Sequence, residues 1–214
     1  MAVRAARRVP GAAAHFAALV IVASAAARGG RAADIDRALF ERVQASRGTA
    51  GIAVARAISA LAEPAVAYPL LAVAGAHAGR RAGWQYTLWP CLAVASGAAV
   101  RRRLSQTIAR PRPPEQAWLI EPEGFSLPSK HTTLAVLTVG ACVRATGIGG
   151  VPARVAPLLA AAGIGASRVC LGVHWPADVV AGWLFAEGWL CLADGLTARA
   201  QPVGHVHPAP DITR

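Results

Sequence analysis

Ser167-Arg168-Val169-Cys170-Leu171-Gly172-Val173-His174-Trp175-Pro176-Ala177-Asp178 sets an arginine, a histidine and a carboxylate in one short segment between two apolar runs, residues 155–166 and 176–193. The runs read as membrane helices, so the segment is a polar turn between two spans. An arginine binds phosphate as a planar fork. A carboxylate four residues after a histidine can fix the imidazole tautomer and stabilise the ring when it becomes cationic. A phosphate-binding arginine beside an oriented histidine is what nucleophilic attack on phosphorus requires.

Working outward, the 214 residues suit one domain. A hydrophobic content of 55% with only 15% charged residues points to a membrane protein. The net charge of +11 raises nucleic acid as a partner. The basic residues, however, sit mostly at the ends of apolar runs rather than on a polar face with aromatic platforms, which argues for topology control instead. Cys91, Cys142, Cys170 and Cys191 fall in or beside apolar runs at spacings that match no zinc pattern, and they read as buried thiols. No cofactor or metal is expected.

Residues 12–27 follow Arg4, Arg7 and Arg8 and form a first span of marginal length against the roughly 20 residues a bilayer needs. They fit an uncleaved N-terminal transmembrane helix or signal anchor over residues 1–30, or a cleavable signal peptide ending near Ala25-Ala26-Ala27. Residues 34–47 carry Ile35, Leu39 and Val43 at four-residue steps, an amphipathic helix at the membrane surface or a soluble connecting helix, with residues 49–61 as its continuation. Further spans are expected at residues 64–79, 84–100, 132–143, 155–166 and 176–193. A polar, proline-rich loop is expected over 101–128, and a disordered cytoplasmic tail over 199–214. The fold class is thus an all-α polytopic bundle of about six transmembrane helices, its main domain covering residues 31–198.

With the N-terminus inside, successive crossings put Arg80, Arg81, Arg144, Arg154 and Arg199 in the cytoplasm, as the positive-inside rule asks. Both polar motif loops then face outward. Arg101, Arg102 and Arg103 lie on that outer side against the rule, which an anionic substrate or anionic headgroups would explain.

Upstream of the histidine segment, Arg110-Pro111-Arg112-Pro113 precedes Pro128-Ser129-Lys130-His131. In order, Arg-Pro, Pro-Ser-x-His and Ser-Arg-x5-His-x3-Asp resemble the three motifs of the type 2 phosphatidic acid phosphatase superfamily, which also includes vanadium haloperoxidases. The resemblance implies a PAP2/haloperoxidase-like helical core and a multi-pass cell-membrane phosphatase with its site on the extracytoplasmic face. Its substrate would be a lipid phosphomonoester or pyrophosphate, such as phosphatidic acid, phosphatidylglycerophosphate or polyprenyl pyrophosphate, hydrolysed without metal. Carried over, His174 attacks phosphorus and becomes a phosphohistidine, Asp178 orients it, and His131 serves as general acid and then base. Arg112 and Arg168 hold the phosphate oxygens, and Ser129 adds a hydroxyl donor.

Two departures stand out. The usual first motif reads Lys-x6-Arg-Pro, and the Arg112 register puts Ser105 at the lysine position, while the Arg110 register puts Arg103 there. The second motif usually has glycine where this chain has Lys130, its only lysine. Lys130 is expected to take over the missing lysine's phosphate contact, with Arg103 as the competing stand-in. A phosphotransferase using the same histidine, and a catalytically degenerate lipid-phosphate binder, remain open. A haloperoxidase is disfavoured because related enzymes of that activity use vanadate and are generally soluble. A transporter would draw on Glu187 and Asp194, the charges in the last apolar region. The sequence leaves the oligomeric state open.

Overall fold

The computed structural model describes residues 8–199; Arg4, Arg7 and the expected tail beyond Arg199 lie outside the described residues. The described chain forms α1 (Arg8–Ala27), α2 (Arg31–Ser46), α3 (Thr49–Ala60), α4 (Pro64–Ala82), α5 (Trp89–Ile108), α6 (Lys130–Thr146), α7 (Gly150–Cys170) and α8 (Pro176–Arg199). No strand occurs among the described residues. Six of the helices, α1 and α4 to α8, fall on the six expected apolar runs. By length and hydropathy alone, α7 and the Pro176–Thr197 part of α8 are fit to cross a membrane. Gly11–Ala27 with α2, and α3 with α4, qualify only as pairs bent by 82° and 45°. α5 misses that measure because Arg101, Arg102 and Arg103 lie inside it, and α6 because it has 17 residues.

The loop expected from residue 101 begins later, since α5 runs on to Ile108. Arginine, leucine and glutamine are good helix formers, so nothing stops the helix before the Arg110-Pro111 step, where proline disfavours α geometry in the preceding residue. Ala109 closes it in the left-handed region at φ 50°, its N–H returning to the Ser105 carbonyl. At the other end, Trp84–Tyr86 form a separate 3-10 turn, and α5 starts at Trp89 with Pro90 in its first turn.

α6 is the centre of the bundle and packs on α4, α5, α7 and α8. Its residues from Thr132 through Thr138 are all buried, so it shows no polar face. Val136, Leu137 and Ala141 meet Leu71 of α4, Val94 of α5 and Leu190 of α8 in the main core. α7 and α8 approach so closely that a Cβ on Gly165 would overlap the Val179 methyls; small residues permit such approach between membrane helices. The starts of α4, α6 and α8 gather at one end of the bundle with the end of α7.

α2 is amphipathic as expected, yet its buried residues are Asp36 and Phe40, while Ile35 and Leu39 stay exposed. The burial of Asp36 has a polar cause. Asp36 Oδ1 accepts the Ala177 N–H at 2.8 Å and so caps the first turn of α8 from another helix. Asp36 Oδ2 accepts from Arg110 at 2.7 Å, and Phe40 packs on Trp175 with centroids 5.0 Å apart. At the far end, Arg144 of α6 donates to Asp194 at 2.9 Å and lies 3.5 Å from Glu187. The two carboxylates that a transporter would use are therefore tied to an interhelical ion pair.

Candidate active site

The turn from α7 to α8 is shaped by Gly172 at φ 79°, where a Cβ would fall on the Ala117 carbonyl oxygen. A side chain there meets both left-handed backbone strain and a backbone atom that cannot give way. The turn delivers His174, which is 1% exposed, into the space between the loop after α5 and the head of α8. His174 Nδ1 lies 3.3 Å from Asp178 Oδ2. Asp178 also accepts Arg110 Nη1 at 2.6 Å, the Trp175 N–H at 2.8 Å and a short bond from Ser126 Oγ. A carboxylate so surrounded cannot rotate away from the imidazole.

Arg112 is clamped by backbone carbonyls, donating to Glu123 at 2.7 Å, Gly124 at 2.8 Å, Phe125 at 3.1 Å and Val173 at 2.7 Å. Its Nη1 also lies 3.3 Å from His174 Nε2. A guanidinium can only donate, so Nε2 is the acceptor and the ring proton sits on Nδ1, facing Asp178. That tautomer leaves the Nε2 lone pair toward the cavity. Burial pushes the His174 pKa down to about 4 against the pull of Asp178, with Arg112 adding to the depression, so the ring is neutral at neutral pH.

Around Nε2 is a cavity of about 160 Å³ lined by Arg112, Lys130, His131, Arg168 and Glu63. Arg168, in the last turn of α7, is buried and donates to Ser59 Oγ at 2.7 Å. Lys130 Nζ reaches Glu123 Oε2 at 3.2 Å. His131, above the apolar run of α6, has Nε2 3.0 Å from Glu63 Oε1. Burial first, then Arg168, lower its pKa to about 4, and Glu63 opposes both.

The structure thus brings together His174, His131, Asp178, Arg112, Arg168 and Lys130. It does not bring Arg103, which is exposed on α5 and lines no part of the cavity, so the stand-in role weighed for it has no geometric basis. Ser129 is fully buried and faces inward, its Oγ accepting from the Thr132 N–H at 3.4 Å and the Thr132 hydroxyl at 3.0 Å as the N-cap of α6. Its oxygen accepts within the helix, and Ser129 lines no part of the cavity. The Arg112 register is the one that reaches the cavity, because Arg110 turns inward to the two aspartates and Ser105 is buried without charge. Sequence reasoning missed Asp36, Glu63, Arg110 and Ser126. Glu63 carried a signal, a carboxylate directly before Pro64 at the head of an apolar run. No group of three His, Cys, Asp or Glu placed to hold a metal occurs among the described residues.

The family model described as the PAP2 superfamily matches residues 86–197, a stretch that includes all three motifs. The chain belongs to the PAP2 superfamily. Among relatives of this PAP2 protein is a decaprenylphosphoryl-5-phosphoribose phosphatase of Mycobacterium tuberculosis, 34% identical over 143 residues, which are 61% of this chain and 72% of the relative. The phosphatase of the same name from Mycolicibacterium smegmatis is 34% identical over 137 residues, 60% of this chain and 69% of the relative. In fold, the chain matches the crystal structure of a transmembrane PAP2 type phosphatidylglycerolphosphate phosphatase from Bacillus subtilis. The TM-score is 0.75 at 23% identity, over 90% of this chain and 98% of the other. As a PAP2 phosphatase the protein is a phosphoric monoester hydrolase of the membrane.

Proposed function

We propose that this PAP2 phosphatase removes the terminal phosphate from a membrane lipid in which a polyol links that phosphate to the lipid, through a phosphohistidine on His174. The observation that carries the reading is the unprotonated Nε2 of His174, 3.3 Å from Arg112 in a small cavity that also holds Arg168, Lys130 and His131. Nε2 attacks phosphorus as the bond to the leaving oxygen breaks, and His131, neutral before substrate binds and protonated once the anionic phosphate enters beside it, gives that proton to the leaving oxygen. Asp178 takes up the charge that appears on the His174 ring. Arg112, Arg168 and Lys130 hold the equatorial oxygens as charge builds. Water then attacks phosphorus, its proton passes to His131, the P–N bond breaks, and inorganic phosphate leaves with His174 neutral again.

The substrate class follows from what the relatives' names share. Decaprenylphosphoryl-5-phosphoribose and phosphatidylglycerolphosphate each carry a lipid, a polyol and a terminal phosphomonoester. Arg80, Arg81 and Arg144 lie in the last turns of α4 and α6, away from the cavity, which supports a multi-pass protein of the cell membrane with its site outside.

Detergent-purified protein in EDTA should release phosphate from phosphatidylglycerolphosphate faster than from polyprenyl pyrophosphate. Folded protein that releases none from any lipid phosphate would overturn the reading. The acid has its own test. Glu63 favours the charged form of His131, so Glu63→Gln lowers the His131 pKa further. The alkaline limb of kcat/KM, which follows loss of the His131 proton, then moves to lower pH. A limb that stays in place or moves upward contradicts the assignment of His131 as acid.

A further inference from the structure

A groove of about 290 Å³ lies beside the phosphate cavity, between α4, α5 and α6. Its apolar side is made by Pro64, Tyr68, Ala98 and Leu134, and its charged side by Arg101, Arg102 and Lys130. Lys130 lines both spaces, so groove and cavity share a wall. The three cations are not equivalent. Lys130 is paired with Glu123 at 3.2 Å, whereas no carboxylate among the described residues lies within ion-pair distance of Arg101 or Arg102. Arg101 spends one donor on the Pro128 carbonyl at 3.0 Å, which aims its guanidinium at the start of the second motif. Arg102 is exposed. Two arginines free of direct carboxylate contact, with Glu123 acting on Arg102 only at longer range, form at the lip of an apolar groove a site for an anion with a hydrophobic attachment.

We infer that this groove seats a second, unreactive phosphate of the same substrate, the phosphodiester that joins the lipid to its polyol. The inference rests on the lipid-polyol-phosphate reading above and adds to it the group that selects such lipids. With the terminal phosphomonoester in the cavity, the polyol lies along the Lys130 stem. The diester meets Arg101 and Arg102, and the first methylenes of the lipid run past Tyr68, which is 39% exposed. Phosphatidic acid has one phosphate and no polyol spacer, so it leaves both arginines without an anion. The arrangement explains why an arginine cluster is tolerated in α5 on the side where positive charge is disfavoured.

The test compares phosphatidylglycerolphosphate with phosphatidic acid of the same acyl chains, in neutral detergent, for the parent, Arg102→Gln, Arg101→Gln and Arg101→Lys. Loss of one charge-assisted contact should raise KM for the diester-containing lipid about tenfold in Arg102→Gln and Arg101→Gln, with kcat unchanged. KM for phosphatidic acid should move less than about twofold, and Arg101→Lys should recover part of the loss. Arg102 is exposed, so its replacement leaves the packing alone even if Arg101→Gln disturbs the Pro128 contact. Equal losses on both lipids would assign the arginines to the cavity and overturn the proposal. No change on either would overturn it too. So would an effect that appears for both lipids only when anionic phosphatidylglycerol is mixed into the micelles, since that is the behaviour of a bulk-headgroup site. A parent that hydrolyses phosphatidic acid well but discriminates neither lipid through these arginines sinks the groove and spares the phosphatase chemistry. A parent inactive on both lipids removes the reading on which the groove depends, and the groove with it.

Discussion

His174→Ala should release phosphate at least about 10⁴-fold more slowly than the parent, because no other group in the cavity presents an uncharged nitrogen lone pair to phosphorus. The group within reach of Nε2 is Arg112, which has no lone pair to give, and Lys130 is paired with Glu123. His131 has its Nε2 engaged with Glu63. The parent, quenched during turnover with labelled substrate, should carry an acid-labile, base-stable phosphoryl group that the variant lacks. The fold should survive. Asp178 keeps its donors Arg110, Ser126 and the Trp175 N–H, so the substitution leaves a cavity rather than an orphaned charge, at a cost of about 1–3 kcal/mol. Turnover within about tenfold of the parent, or label retained in the variant, would show that His174 is not the nucleophile.

The second large effect belongs to a residue with no reactive role. Arg110 is 9% exposed and bridges Asp178 at 2.6 Å and Asp36 at 2.7 Å, with its guanidinium 5.7 Å from the Trp175 ring centroid. Arg110→Met strands two buried carboxylates, and breaking a buried pair in this way costs about 3–5 kcal/mol. The thermal midpoint in detergent should fall by about 10 °C for a chain of this size. kcat/KM should fall with it, because Asp178 loses one of the bonds that aim it at His174. Arg110→Lys should not restore the parent, since a single ammonium cannot span two carboxylates as the fork does. Adding Asp36→Asn to Arg110→Met should recover part of the stability by removing one uncompensated charge. A midpoint within about 2 °C of the parent in Arg110→Met would contradict the ion-pair account.

Much of this was legible in the chain itself, for physical reasons that differ by element. The six apolar helices announce themselves because lipid and core alike demand hydrocarbon over their whole length, as in residues 176–193. That His131, His174, Arg112 and Arg168 would meet in one cavity was legible because their order and spacing match the motifs of the family. Arg110 and Asp36 were not, since their partnership spans 74 positions and no local pattern encodes it. On the Asp36 helix the apolar stripe of Ile35 and Leu39 was legible and stays exposed, whereas the burial of Asp36 on the other side was not. The end of α5 was misplaced for the opposite reason. Arginines read as loop by polarity, yet they are helix formers and continue a helix until proline stops it. Ser129 shows the limit of motif reading, since a hydroxyl in the right position turned out to cap a helix.

The link from Asp36 through Arg110 to Asp178 also has a consequence for biosynthesis. Membrane chains are laid down from the N-terminus, and the carboxylate beside the His174 ring arrives only with the first turn of α8. Of the two carboxylates that Arg110 bridges, Asp36 is made early and Asp178 late, and Asp178 is also the carboxylate on the far ring nitrogen of His174. The completed protein gains its last ion pair and its oriented histidine in the same event. One residue of the last helix thus completes both the ion-pair link and the setting of His174, so a chain cut before α8 should lack both.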